Sequence, residues 1–148
     1  MLIQVQKQDF DLSEVLKTMR ADRKDIGAIA SFVGLVRDLP DSKLFSMTLE
    51  HYPGMTEKSL AKIADQALNK WNLLDIVIIH RVGELKPADQ IVLVAVASSH
   101  RAQAFAACEY IMDFLKTSAP FWKKETSPGG SSWVEAKDSD DLATERWQ

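Results

Sequence analysis

The chain reads as an α+β domain with mixed or antiparallel sheets and two long helices. Its candidate elements run β-α-β-β-α-β-β-α-β-β, so strands repeatedly follow strands with no helix between them. A doubly wound parallel sheet does not allow that order. Two segments carry apolar residues at helical spacing over more than a dozen positions. The length of 148 residues suits one domain.

Leu2 to Lys7 alternates apolar and polar residues, as a short strand does. Asp11 and Glu14 stand at capping-box spacing and open a helix that runs to about Arg20. Ile26 to Arg37 is apolar and partly β-branched, so it reads as a buried strand; Gly27 and Gly34 within it signal bulges or close backbone approach. Asp38 to Lys43 reads as an exposed loop. Phe45 to Tyr52 alternates again, with Met47, Leu49 and His51 on one face. Pro53-Gly54 breaks that strand. Thr56-Glu57 then opens a helix whose apolar positions are Leu60, Ile63, Ala64, Ala67, Leu68 and Trp71.

Asp75 to Val82 is the next strand, followed by a turn region punctuated by Gly83-Glu84 and Pro87-Ala88-Asp89. Gln90 to Ala97 is the most apolar strand. The second long helix is expected from about His100 to Thr117, with Phe105, Cys108, Met112 and Leu115 as its stripe, Ala104 and Ile111 beside it, and Pro120 limiting its end. Phe121 to Thr126 and Ser132 to Ala136 are expected to pair as a hairpin across Pro128-Gly129-Gly130. The tail after Lys137 is polar.

Eighteen Lys and Arg against 21 Asp and Glu leave a formal charge of −3. Such a chain is a poor candidate for non-specific nucleic-acid binding, which needs broad positive charge to displace phosphate counterions. The longest apolar run, Ile91 to Ala97, is far short of the ~20 residues that span a bilayer. Met1 to Lys7 lacks a basic start followed by an apolar stretch, so no signal peptide is expected. A single cysteine, Cys108, rules out an internal disulfide framework. The expectation is a cytoplasmic protein with no membrane segment.

Ser98-Ser99-His100-Arg101 stands where a buried strand meets a helix. Free N–H groups and the positive dipole end of the helix, with Arg101 and a titratable His100, suit a phosphate. The alternative is that Ser99 only caps the helix while His100 and Arg101 are solvated. The stretch Lys116 to Glu125 gathers Lys116, Lys123 and Lys124 around a proline turn and an aromatic pair. Clustered cations depress lysine pKa values and free an amine for proton transfer or attack. The alternative is that Lys116 merely complements the helix dipole. Arg37, where a strand meets a loop, signals little alone. His51, His80 and His100 show no metal-ligand spacing, and His51 and His80 read as structural. Cys108 reads as a packed core residue.

His100 and Lys116 are sixteen residues apart on one expected helix. At ~1.5 Å per residue that is about 24 Å, too far for one small pocket within a chain. If both serve one substrate, two chains contribute, as in a symmetric homodimer.

These residues resemble a known family. Leu49-Glu50-His51-Tyr52-Pro53-Gly54-Met55 is similar to a signature of the large, catalytic subunit of molybdopterin synthase. So are His80-Arg81-Val82-Gly83-Glu84-Leu85, Ser98-Ser99-His100-Arg101 and Trp133-Val134-Glu135-Ala136. The most specific match is Lys116-Thr117-Ser118-Ala119-Pro120-Phe121-Trp122-Lys123-Lys124-Glu125. The resemblance covers about Gly27 to Ala136. It implies an α/β hammerhead with an extra antiparallel sheet. It implies an enzyme that makes molybdopterin from a cyclic pyranopterin monophosphate by installing two sulfurs. The sulfur donor it implies is the Gly-Gly thiocarboxylate of a small ubiquitin-like subunit, within a heterotetramer built on a homodimer. Lys116 matches the principal catalytic lysine and Lys123 a second essential one. Arg37, with Leu35 and Val36 before it, and His100 and Arg101 match substrate-binding positions; Lys124 and Glu125 lie in the same pocket motif. No metal or cofactor is implied. Two other readings stand beside it: a non-catalytic dimeric module binding a ubiquitin-like partner and an anion, and an unrelated phosphate-ligand enzyme.

Overall fold

The computed structural model describes residues 1–38, 46–127, 130–134, 145 and 147. Its elements are β1 (Leu2–Gln6), α1 (Leu12–Arg20), β2 (Ala28–Leu35), β3 (Ser46–His51), α2 (Met55–Lys70), β4 (Leu73–Arg81), β5 (Gly83–Leu85), β6 (Gln90–Ser98), α3 (Arg101–Thr117), β7 (Phe121–Ser127) and β8 (Gly130–Val134). They form an α+β fold with two four-stranded sheets, in the orders β1-β4-β6-β2 and β5-β3-β7-β8. In the first sheet β1 and β4 are parallel and the other pairs antiparallel; the second is antiparallel throughout.

The first sheet is covered on both faces, which explains why β6 is a continuous apolar run. Val92, Val94 and Val96 point to α2 and α3, packing with Leu60, Ala64, Ala107 and Ile111. Leu93, Ala95 and Ala97 point the other way, with Val77 and Ile79, under Met19 of α1. Asp11 caps α1 as its spacing predicts, its carboxylate accepting the Glu14 N–H at 3.2 Å. Both glycines expected to permit close approach do so. A Cβ on Gly27 would lie 2.1 Å from the Ser99 carbonyl oxygen, and one on Gly34 2.9 Å from Val92 Cγ1, where the β2–β6 register shifts.

Two expectations need correction. Gly83–Leu85, read as part of a turn, is a short strand paired with Met47–Leu49. Three residues with no β-branched side chain carry no local strand signal; only the partner strand makes them one. Phe105, expected on the buried stripe of α3, is 65% exposed. The rest of the stripe, Cys108, Met112 and Leu115, is buried as expected, together with Ala104, Ala107 and Ile111. Small Ala104 and Ala107 let its backbone approach the sheet, and Phe105, ~100° around the helix, is left outside.

The loop Asp38 to Lys43, the turn at Pro128-Gly129 and most of the tail after Lys137 lie largely or wholly outside the described residues. Trp147 packs edge-on against Trp71 and Tyr110, and its indole N–H donates to an Asp113 carboxylate oxygen. Among the described residues, no helix is long and apolar enough to cross a membrane.

Candidate functional site

The lysine segment forms the corner between α3 and β7. After Thr117 the chain closes a tight turn: the Ser118 and Ala119 N–H groups both donate to the Phe114 carbonyl, at 2.8 and 3.3 Å, and the Phe121 N–H donates to the Ala119 carbonyl at 2.9 Å. Thr56, fully buried in the first turn of α2, donates its hydroxyl to the Pro120 carbonyl at 3.0 Å and accepts the Tyr52 N–H at 2.9 Å. β7 then pairs with β3 in the register His51↔Phe121, Leu49↔Lys123 and Met47↔Glu125.

Strand alternation separates the residues that the sequence lists side by side. Phe121, Lys123 and Glu125 share the face of buried Met47 and Leu49. Trp122 and Lys124 take the opposite face, with Trp133 of β8 directly beside Lys124. Lys123 Nζ lies 3.9 Å from Glu125 Oε1, and the lysine is partly exposed. Trp122 is also exposed and stacks at a tilt on Tyr52, with ring centroids 5.3 Å apart.

His80, near the end of β4, sits beneath this corner. It is buried, as its strand pattern suggests, and its ring stacks on Phe121 with centroids 3.8 Å apart and planes 19° from parallel. Its Nδ1 lies 2.8 Å from the Arg81 carbonyl oxygen. A carbonyl only accepts, so Nδ1 carries the proton. Burial pushes the imidazole down to about 4; the bond to Arg81 opposes this, and the positive charges of Lys116 and His51 add to it. Lys116 of α3 and His51 of β3 thus act on His80 through their charge. Lys116 itself is exposed on the last turn of α3.

The Ser98–Arg101 segment leaves His100 and Arg101 solvated, as one local expectation has it, but its capping differs. Ser99 does not cap α3. Its hydroxyl reaches the Asp25 carbonyl at 3.4 Å, and His100 is the N-cap residue without a side-chain cap bond. Buried Ser98 does the local work, donating to the Asn72 carbonyl at 3.1 Å and accepting the His100 N–H at 3.5 Å. The reason is the Gly27 contact: Ser99 is drawn against the start of β2 and away from the helix. His100 and Arg101 are exposed at that N-terminus.

The topology sorts the remaining residues by end. β2 and β6 pair from Ala28↔Ser98 to Leu35↔Gln90. Seven residue steps at ~3.4 Å put about 24 Å between those ends. α3 folds back along β6, so Lys116 returns to the Leu35 and Gln90 end, where Arg37 is exposed. One chain thus gathers Arg37, Lys116, Lys123 and Glu125 toward one end and leaves His100 and Arg101 at the other. Val36 is not displayed. Its side chain is buried with Met47, Leu49 and Leu85, its N–H donates to the Asp89 carbonyl, and its carbonyl accepts the Ala88 N–H, so Val36 packs beneath the site. Leu35 is exposed.

Among the described residues β2 is an edge strand; it exposes Leu35, and Phe32 across a groove from the exposed Phe105 of α3. Cys108 lines the floor of the groove between Phe32 and Phe105. Burial pushes its thiol up to about 11, with the Glu109 carboxylate adding to the effect, so it is packed and not a poised nucleophile. Among the described residues, no group of three or more His, Cys, Asp or Glu side chains is placed to hold a metal ion.

Neither Thr56 nor His80 stands out in the sequence as part of this corner. The partner of Thr56 is 64 residues away, and no spacing rule reaches that far.

Comparison with known proteins gives a consistent answer. Residues 5–118 match the family model described as MoaE protein. The chain is 59% identical over 146 residues to the molybdopterin synthase catalytic subunit of Ralstonia nicotianae, covering 98% of this chain and 83% of that one. The solved structure of the molybdopterin biosynthesis MoaE protein from Burkholderia ambifaria superposes with a TM-score of 0.84 at 55% identity, covering 99% and 98% of the two chains. A complex of subunits 1 and 2 of the molybdopterin-converting factor from Helicobacter pylori shares the fold, with a TM-score of 0.74 at 21% identity and coverage of 93% and 92%.

Proposed function

This chain belongs to the MoaE protein family, and we propose that it converts a cyclic pyranopterin monophosphate to molybdopterin as the catalytic subunit of molybdopterin synthase. It is a sulfurtransferase of molybdenum cofactor biosynthesis. Two sulfurs reach the pterin side chain from the Gly-Gly thiocarboxylate of a small ubiquitin-like subunit, a reaction we place in the cytoplasm. The observation that carries the reading is the α3–β7 corner, where Lys116 and Lys123 are held on adjoining elements by a turn anchored from α2 and β4.

Lys116 moves protons at the carbons being sulfurated, and Lys123, steadied by Glu125, holds the substrate beside it. Arg37, with exposed Leu35 before it, receives the pterin at the same end. His100 and Arg101 neutralise the phosphate at the free N-terminus of α3. Lys124, on the opposite face of β7 from Lys123, meets the small subunit instead. The exposed Tyr52 and Trp122 rings wall the path of its extended tail.

His100 and Arg101 stand about 24 Å from the lysine corner of their own chain by the strand rise, so a second copy supplies them. The free edge of β2, with exposed Phe32, Leu35 and Phe105, is the face on which that copy packs. The assembly is then a homodimer carrying a small subunit at each end.

A single-turnover assay tests the reading: this protein, thiocarboxylated small subunit and cyclic pyranopterin monophosphate, with dithiolene formation as readout. Product is expected from the native chain and, on the same timescale, almost none from Lys116→Ala, with pterin binding retained. Binding without product from the native chain would leave a non-catalytic module. Mixing Lys116→Ala with Arg101→Ala subunits is expected to restore product through dimers with one intact composite site. No recovery after verified subunit exchange would put both residues in one chain's site.

A further inference from the structure

Lys116 and Lys123 lie on different elements, α3 and β7, joined by the turn at residues 118–120, while β7 is also held by its pairing with β3. That turn has two side-chain anchors from distant parts of the chain: the Thr56 hydroxyl on the Pro120 carbonyl, and the His80 ring on Phe121. The His80 ring is itself fixed. Its Nδ1–H donates to the Arg81 carbonyl at 2.8 Å and so restrains the ring plane on which Phe121 stacks. Arg81 in turn spans the neighbouring strands, donating from Nε and Nη2 to the Lys7 carbonyl at 3.1 and 3.0 Å and from Nη1 to the Gln90 carbonyl at 3.0 Å. An unbroken series of contacts ties the interior of the first sheet to the lysine corner.

We propose that His80 is a positioning residue for Lys116 and Lys123, acting through its stack on Phe121. The inference rests on the reading above, in which those lysines perform and support the chemistry. His80 touches neither substrate nor sulfur donor in this account. Its ring holds Phe121, the first residue of β7, and so restrains how β7, which carries Lys123, leaves the end of α3, which carries Lys116. Small misplacements of reacting groups cost large factors in rate, so the effect belongs in kcat.

The test is sulfur transfer with the complete two-subunit enzyme, with kcat and KM measured separately and folding checked by thermal melting. His80→Ala is expected to lower kcat by about tenfold with KM for the pterin within about twofold. His80→Phe keeps an aromatic stack and is expected to restore most of the rate. Phe121→Leu breaks the stack from its half-buried side and should reproduce the loss. The His80→Ala/Phe121→Leu double variant should be no slower than the slower single, because both remove one contact.

A native rate in His80→Ala or Phe121→Leu would overturn the proposal. So would a His80→Phe variant as slow as His80→Ala, which would point to the imidazole's own proton chemistry, or single losses that multiply in the double variant. If His80→Ala does not fold, His80→Phe and Phe121→Leu decide by the same criteria. Lys116→Ala runs alongside: a native rate there would overturn the lysine reading itself and this proposal with it.

Discussion

The two sheets of this protein do different jobs, and the difference lies in how many faces each one buries. The first, β1-β4-β6-β2, is sealed by α2 and α3 on one side and α1 on the other; Leu93, Val94, Ala95, Val96 and Ala97 have no exposure at all. The second, β5-β3-β7-β8, buries Met47, Leu49 and Leu85 and turns Trp122 and Trp133 outward. A strand buried on both sides has no room for a solvated charge, whereas a strand with one wet face can carry lysines. The candidate chemistry accordingly stands on β7, at the ends of α3 and just past β2, and the stability stands in the first sheet.

Substitutions can break or sharpen that division. The largest expected effect is on activity: Lys116→Ala should slow single-turnover sulfur transfer by about 10²–10⁴, with the melting temperature unchanged because Lys116 is exposed. A large drop in melting temperature would show that the corner also supports the core. The mirror image is Leu93→Ala, fully buried between α1 and the sheet. It should cost about 2–5 kcal/mol in a denaturant titration while the folded fraction keeps its catalytic rate.

His80 crosses the division and makes stability depend on pH. Its folded value of about 4 lies below the ordinary 6.5, so the unfolded chain binds the extra proton between those values. The stabilisation from a neutral His80 is complete above about pH 6.5 and is lost as pH falls toward 4, a swing of about 3 kcal/mol. His80→Phe should flatten that part of the stability–pH curve; an unchanged slope would assign it to other groups. Gly27→Ala tests the join between β2 and Ser99. A Cβ 2.1 Å from a backbone oxygen forces a shift, at a cost of about 1–3 kcal/mol in stability. The smallest effect is expected from Lys124→Ala, within about 0.5 kcal/mol in stability. Its rate of pterin turnover should fall far less than that of Lys123→Ala. Equal losses from the two lysines would mean that strand alternation does not divide their roles.

Much of the fold was legible because local chemistry dictates it. Asp11 caps because an acceptor before a helix meets free N–H groups. Leu60, Ile63, Ala64 and Ala67 line one face because 3.6 residues make a turn. The order of elements followed from the same periodicities, with only the short β5 missed. The sequence offers a set of candidate residues but not their arrangement. Lys116, Lys123, His100 and Arg101 stand in motifs that resemble a family, but neighbours in a motif are not neighbours in space. Lys124 faces away from Lys123, Val36 is packed beneath the site and Ser99 serves β2 instead of α3.

By itself the sequence determined the α+β class, the two long helices, the close approaches at Gly27 and Gly34 and the family, since each rests on contacts within a few residues or on ordered motifs. Only the tertiary structure decided that Phe105 is outside, that Gly83–Leu85 is a strand, and that Thr56 and His80 anchor the lysine corner. Those outcomes depend on partners dozens of residues away. A hydrogen bond or a ring stack at that separation exists only once the chain has closed the loop between them, and no local propensity encodes which partner waits there.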